Sequence, residues 1–194
     1  MITCLILGMG IPTIPNYIIT SSLAGPALEQ LGVPLIVGHM FVFYFGIMAD
    51  LTPPVALACF AAAPMAKTSG LKISIDATKL AIAGFIMPFI AVYSPALMLQ
   101  DPYPGSFFAE TFGYWAEVLF VTLKAAVAVA LWGIAVVGFL FMRAQWWERL
   151  LAFGGGVLLV LPTVETDVAG LVIAAAVVIV QRLRVARSGD RAVA

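Results

Sequence analysis

Hydrophobic residues run through this chain in long blocks rather than alternating or recurring every third or fourth position. Glycine, proline and polar residues fall between the blocks as punctuation. Blocks on this scale match a bilayer, where a helix needs about 20 apolar residues to cross about 30 Å of hydrocarbon. About six membrane elements follow. Segments 1–7 and 17–28 flank the run Gly8-Met9-Gly10-Ile11-Pro12-Thr13-Ile14-Pro15-Asn16. Each arm is too short to span, so the pair reads as a re-entrant helical hairpin occupying 1–31. Leu31-Gly32-Val33-Pro34 turns the chain into segment 35–65, which is long enough to cross but is broken at 51–54. Segment 67–79, with Thr68, Ser69 and Gly70, reads as a polar loop, and 80–99 as the next span with kinks at Pro88 and Pro95. Segment 100–114 is a loop turning at Asp101-Pro102-Tyr103-Pro104-Gly105. An uninterrupted span at 118–142 is followed by two shorter apolar segments, 149–161 and 168–180, around 162–167. The predicted fold class is an all-α polytopic membrane protein, with interrupted helices at 1–100 and additional helices and a basic tail at 101–194.

The two breaks are where chemistry is expected. Pro53 and Pro54 follow Asp50, Leu51 and Thr52 inside an apolar stretch. The second proline removes a donor and clashes with the preceding turn, and the residue before each is driven out of the α region. Carbonyls freed in this way are tolerated at membrane depth where they are buried in protein or line a polar cavity. Unwound carbonyls, the Thr52 hydroxyl, the negative end of a half-helix and the Asp50 carboxylate together offer what an alkali-metal ion needs. Gly46 permits another element to pack closely before the break. A simple proline kink, with Asp50 facing water, accounts for the same residues. At the hairpin break, Gly8 and Gly10 allow close backbone approach and Thr13 and Asn16 supply polar groups. The N-terminus of the arm after Pro15 presents N–H groups suited to an anion. An ordinary extracellular loop between two weakly inserted helices is the competing reading there.

Composition agrees with a lipid environment. Of 194 residues, 63% are hydrophobic and 10% charged, against about 25% charged in soluble domains. The mean hydropathy is +1.09. No basic surface for nucleic acid is present. The net charge of zero conceals an ordered alternation. Lys67, Lys72 and Lys79 share one connection, Arg143 and Arg149 another, and Arg182, Arg184, Arg187 and Arg191 the tail. Between them lie Asp101, Glu110 and Glu117, and then Glu165 and Asp167. The positive-inside rule puts the basic connections and the C-terminus in the cytoplasm, with the hairpin entering from outside.

The remaining polar residues read as structural. Lys124 lies inside a span, seven residues after Glu117, and is expected to snorkel to the interface. His39 is the single histidine and has no partners spaced for a metal. Phe41, Phe43, Tyr44 and Phe45 read as lipid-facing or packing surface, and Trp146-Trp147, beside Arg143, Glu148 and Arg149, as an interfacial anchor. Cys4 and Cys59 lie in apolar runs as small buried hydrophobes rather than a disulfide. No nucleophile with a base, paired-carboxylate site or phosphate loop is seen, so an enzyme is not expected and no cofactor is called for.

Several runs together resemble the C-terminal part of the large membrane subunit of a TRAP transporter permease, in the fused form that works with TAXI-type solute-binding proteins. They are Gly8-Met9-Gly10-Ile11-Pro12-Thr13, Pro26-Ala27-Leu28 with Leu31-Gly32-Val33-Pro34, and His39-Met40-Phe41-Val42-Phe43-Tyr44-Phe45-Gly46 leading into Leu51-Thr52-Pro53-Pro54-Val55-Ala56-Leu57-Ala58. Pro88-Phe89 and Tyr93-Ser94-Pro95-Ala96-Leu97 fit as well. The resemblance implies an elevator transporter of two inverted repeats, with 1–31 as the second hairpin and 35–65 as its broken helix. It implies a sodium site lined by Gly8, Gly10, Pro12, Thr13, Asn16, Gly46, Asp50, Thr52, Pro53 and Pro54, with Thr52 and backbone carbonyls as ligands and sodium as the coupling ion. The family often has a small or polar residue where Asp50 stands. The function implied is sodium-coupled uptake of an organic acid across a bacterial inner membrane. The partners implied are a periplasmic TAXI-type binding protein and the rest of the permease, since no first repeat is seen and the chain reads as part of a longer permease. A non-transporting membrane scaffold and a small channel-forming protein are the alternatives.

Cysteines introduced at Lys72 and Arg184 are expected to react with an impermeant maleimide only from the cytoplasmic side of inverted vesicles. Labelling of either from the periplasmic side would reverse the orientation.

Overall fold

The computed structural model describes residues 1–190, with side chains described through Val185. Among the described residues, ten α-helices are joined by turns: α1 Ile2–Gly8, α2 Thr13–Gln30, α3 Leu35–Met48, α4 Leu57–Ala66, α5 Gly70–Ala81, α6 Met87–Tyr93, α7 Phe107–Phe112, α8 Tyr114–Val137, α9 Trp146–Leu158 and α10 Val164–Asp190. Short 3-10 turns occupy Gly84–Ile86 and Pro95–Met98. Among the described residues the only β feature is one isolated bridge between Phe139 and Arg143. Helices α8 and α10 (over Val164–Val185) are each long and apolar enough to cross a membrane, and Gly70–Ala81 with Gly84–Tyr93 qualifies as one bent crossing. The chain is an all-α polytopic membrane protein. Of the basic tail, Arg191 lies outside the described residues.

The chain divides into two compact units, Met1–Ala81 with Met98–Asp101, and Ile82–Leu97 with Pro102 onward. In the first unit, α1 and α2 form a tight helical hairpin. Gly10, in the left-handed region at φ 78°, turns the chain, and Pro12 is the N-cap of α2. Both arms pack on α3. Helix α2 ends where Gly32 (φ 79°) allows its own N–H and that of Val33 to reach the carbonyls of Glu29 and Leu28. Three of its hydroxyls bond back to the helix, Thr20 to the Asn16 carbonyl at 2.7 Å, Ser22 to that of Ile19 at 2.9 Å and Ser21 to that of Ile18 at 3.3 Å. Cys4 and Cys59 are free and buried.

Two local readings change. The segment 67–79, read as a loop on its polarity, contains the helix α5. Lys72, Asp76 and Lys79 recur at helical spacing on its exposed face, while Gly70 and Ser74 are buried. Polarity there signalled an amphipathic helix rather than a loop. The stretch 80–99 is not one continuous helix. Pro88 stands near the start of α6 and Pro95 begins a 3-10 turn, positions where a missing N–H costs little.

In the second unit, α8 packs against α9, α10, α6 and α7. The core along α8 is Val121, Ala125, Ala128, Leu131 and Ala135, joined by Ile90 and Leu159. Small residues bring the helices close, as is usual when lipid removes the hydrophobic drive between them. A methyl on Gly155 would meet Ile173 at 2.7 Å, and one on Gly170 would meet Leu159 at 2.6 Å. Helix α8 stops at Gly138, φ 72°. There Arg149 donates to the carbonyls of Ala135 at 2.7 Å and Val136 at 3.0 Å, closing the helix end. Glu148 shares a capping box with Gln145. It is fully buried, accepting from Gln181 at 3.2 Å and pairing with Arg184 at 3.1 Å. Trp146 is 74% exposed, as an interfacial anchor requires.

Lys124 does not snorkel. It is 3% exposed, and its ammonium lies 2.9 Å and 3.1 Å from the two carboxylate oxygens of Asp167 on α10. The charge expected to escape to the interface is met inside the protein instead, because α10 brings a carboxylate to it. Removing one partner of a buried pair leaves an uncompensated charge, at a cost of about 3–5 kcal/mol. Lys124→Met is expected to lower stability on that scale in detergent unfolding, and Lys124→Met with Asp167→Leu to recover most of it. Little loss in the single variant would show that the pair is not what holds α8 to α10.

Candidate functional site

The site grows from the hairpin tip and the broken helix of the first unit. Helix α3 ends at Met48, and its last turns tighten before Pro53 ends the ladder. Asp50 N–H reaches the Ile47 carbonyl at 3.1 Å, Leu51 that of Met48 at 3.2 Å and Thr52 that of Ala49 at 3.2 Å. These three-residue steps are the usual way a helix end satisfies its carbonyls. The Pro53-Pro54 peptide is cis, and Ala56 adopts the left-handed region at φ 40° before α4 begins. Across the break, Ala58 N–H donates to the Asp50 carbonyl at 3.2 Å. Thr78 of α5 donates its hydroxyl to the Leu51 carbonyl at 3.1 Å. Thr78 was missed in the sequence because its helix had been read as a loop. Its spacing of four from the buried Ser74 was the available signal.

Gly8, Asn16 and Gly46 meet directly. A methyl on Gly8 would lie 2.8 Å from Asn16 Nδ2 and 2.8 Å from the Gly46 carbonyl oxygen, and one on Gly46 would lie 2.9 Å from Asn16 Nδ2. The asparagine amide is thus held between two glycines, one on α1 and one on α3. Side chains at either position would displace it. The Tyr17 hydroxyl lies 2.8 Å from His39 Nδ1, and Tyr17 meets Phe43 edge-on at 5.7 Å, so α2 is registered on α3 just beyond. His39 therefore joins hairpin to broken helix, and Phe41 and Phe45 are buried in the packing.

Gly10, Pro12, Thr13 and Asp50 line one groove of about 470 Å³, together with Ile11, Leu57, Ala58 and Ala61. Asp50 Oδ1 and Asn16 Oδ1 are both buried with no hydrogen-bond partner among the described residues. Buried polar atoms almost always have a partner, so the two orphaned acceptors stand out, Asp50 in the groove and Asn16 at the Gly8–Gly46 junction, which does not line it. Thr52 sits in the break itself. Its hydroxyl donates to the Met48 carbonyl at 2.8 Å, and its carbonyl accepts from Ala56 at 3.2 Å. The lone pairs of that hydroxyl and the second lone pair of the carbonyl remain for a cation. Thr52, Pro53 and Pro54 shape the break without lining the groove.

These features define a membrane protein whose helical hairpin packs against a broken helix beside a small groove, mostly apolar, into which Thr13 and Asp50 bring polar groups. The family model "Tripartite ATP-independent periplasmic transporter, DctM component" matches residues 1–106, and the chain belongs to that family. It is therefore a membrane permease component of a tripartite transporter, with a periplasmic binding protein and a small membrane subunit as the family's partners. No curated protein and no solved structure matches the chain.

The glycine–asparagine junction makes a direct prediction. Gly46→Ala is expected to push Asn16 and the hairpin tip outward, raising the labelling rate of a cysteine placed at Thr13 several-fold. Adding Asn16→Ala should return the rate toward that of the parent. An unchanged rate in Gly46→Ala would show that the close approach does not hold the hairpin.

Proposed function

We propose that the hairpin–break groove is the ion-binding half of a sodium-coupled permease that takes up an organic acid handed over by a TAXI-type periplasmic binding protein. The observation that carries this reading is two orphaned acceptors, Asn16 Oδ1 on the hairpin and Asp50 Oδ1 in the groove at the break. A hard monovalent cation satisfies such oxygens, and the half-helix end at Met48 adds partial negative charge. Asn16 contributes from the hairpin and Asp50 from the broken helix. An ion between them would draw the two together, closing the hairpin over solute, and its departure would release it. The groove is then one half of a two-repeat site, and the complementary half comes from the rest of the permease. The basic connections face the cytoplasm of a bacterial inner membrane in this reading, and the hairpin dips in from the periplasm.

One observation favours a structural reading of the break. The Thr52 hydroxyl caps the Met48 carbonyl, which is what a plain kink in a scaffold helix would also require. The two readings differ in what removal of oxygen does. In proteoliposomes holding the complete permease and its binding protein, Asp50→Asn and Thr52→Val are each expected to raise the sodium concentration for half-maximal uptake about tenfold, equivalent to about 1.4 kcal/mol. Unchanged sodium dependence in both variants, with only thermal stability reduced, would make the break a scaffold feature and withdraw the ion site.

A further inference from the structure

A second polar cavity lies wholly within the second unit, and the hairpin groove does not account for it. Its volume is about 360 Å³, within the range of small-ligand sites. Glu117, Phe120 and Lys124 line it from α8 and Asp167 from α10, with Tyr93 and Ser94 from the end of α6. The segment 102–108 covers it with Tyr103, Phe107 and Phe108. Phe108 stacks on Phe120 at 4.0 Å, fixing that cover to α8.

The charges do not balance. Lys124 is matched by Asp167, which holds it with both oxygens. Glu117 is 8% exposed, lines the same cavity, and has no hydrogen bond or ion pair with any side chain among the described residues. One carboxylate is therefore left facing the cavity. The surroundings deepen this excess. Glu110 on α7 and Glu165 on α10 lie toward the same end of the unit, where Lys124 is the one described cation. The arginines stand at the far end of α8, as the contacts of Arg149 with Ala135 and Val136 show. Glu117 and Asp167 also lie in the first turns of their helices, where negative charge is favoured. That explains two carboxylates beside one lysine, but not why one of them faces a cavity alone.

We infer that this cavity binds a small organic cation, an ammonium whose charge meets Glu117 and whose carbon body lies against the aromatic cover. The choice of an organic ion over a metal follows from the lining. No group of three or more His, Cys, Asp or Glu residues that could hold a metal occurs among the described residues. Aromatic side chains with one carboxylate suit an alkylammonium, which gains from ring faces and asks for few ligands. The ammonium can come from a soluble amine or from a lipid headgroup.

The test uses the full chain in nanodiscs of phosphatidylglycerol, which carries no amine. Calorimetric titration with ethanolammonium and tetramethylammonium chlorides, at constant ionic strength set with sodium chloride, is expected to show saturable binding. Glu117→Gln should abolish it and Glu117→Asp weaken it about tenfold, while Glu165→Gln, outside the cavity, should leave it unchanged. Loss of binding when phosphatidylethanolamine is added would identify the headgroup as the occupant, and persistence would identify a soluble amine. No saturable binding to the parent chain, binding equally strong in a folded Glu117→Gln, or an equal response to sodium alone would overturn the inference.

Discussion

Inside a bilayer a backbone carbonyl or amide has no water to bond, so every interruption of a helix must be answered by another group of the protein. The first unit is organised by that requirement. Pro53 and Pro54 end the ladder of α3, and the carbonyls around the break are answered by Thr52 N–H on Ala49, Ala58 on Asp50, Thr78 on Leu51 and the Thr52 hydroxyl on Met48. Without these bonds the break would be too costly to keep at membrane depth. With them, it becomes a rigid place to present side-chain oxygens. Asp50 and Asn16 stand out against this background because their neighbours are satisfied and they are not.

Close backbone approach is the second condition, and glycine supplies it. The Asn16 amide is accommodated because neither Gly8 nor Gly46 carries a side chain, and the Tyr17–His39 contact sets the register next to it. The small residues of α9 and α10 do a different task. They lock Gly155 and Gly170 against Ile173 and Leu159, and buried charge closes the same assembly through Lys124–Asp167 at one end of α8 and Glu148–Arg184 near the other.

Much of this was legible in the linear chain. The block lengths, the hairpin at 1–31, the broken helix and the final pair of helices all follow from how proline and glycine interrupt apolar runs, which is local chemistry. So does the membership of Gly8, Gly10, Asn16 and Asp50 in two breaks of similar composition, with Gly46 just before the second. The helix at Gly70–Ala81 was legible too, but in its period rather than its polarity, and reading polarity alone concealed Thr78.

What the chain by itself determined is therefore where helices begin, stop and break, and that the molecule belongs in lipid. These depend on steric limits of single residues and on transfer of short segments from water. Which groups meet was decided by the tertiary structure alone. Lys124 and Asp167 stand 43 residues apart and Glu148 and Gln181 stand 33 apart, and no local rule pairs them. A lysine near a helix end has two ways to avoid hydrocarbon, reaching water or finding a carboxylate. The choice rests on whether another helix delivers that carboxylate, and this is a property of packing, not of sequence neighbours.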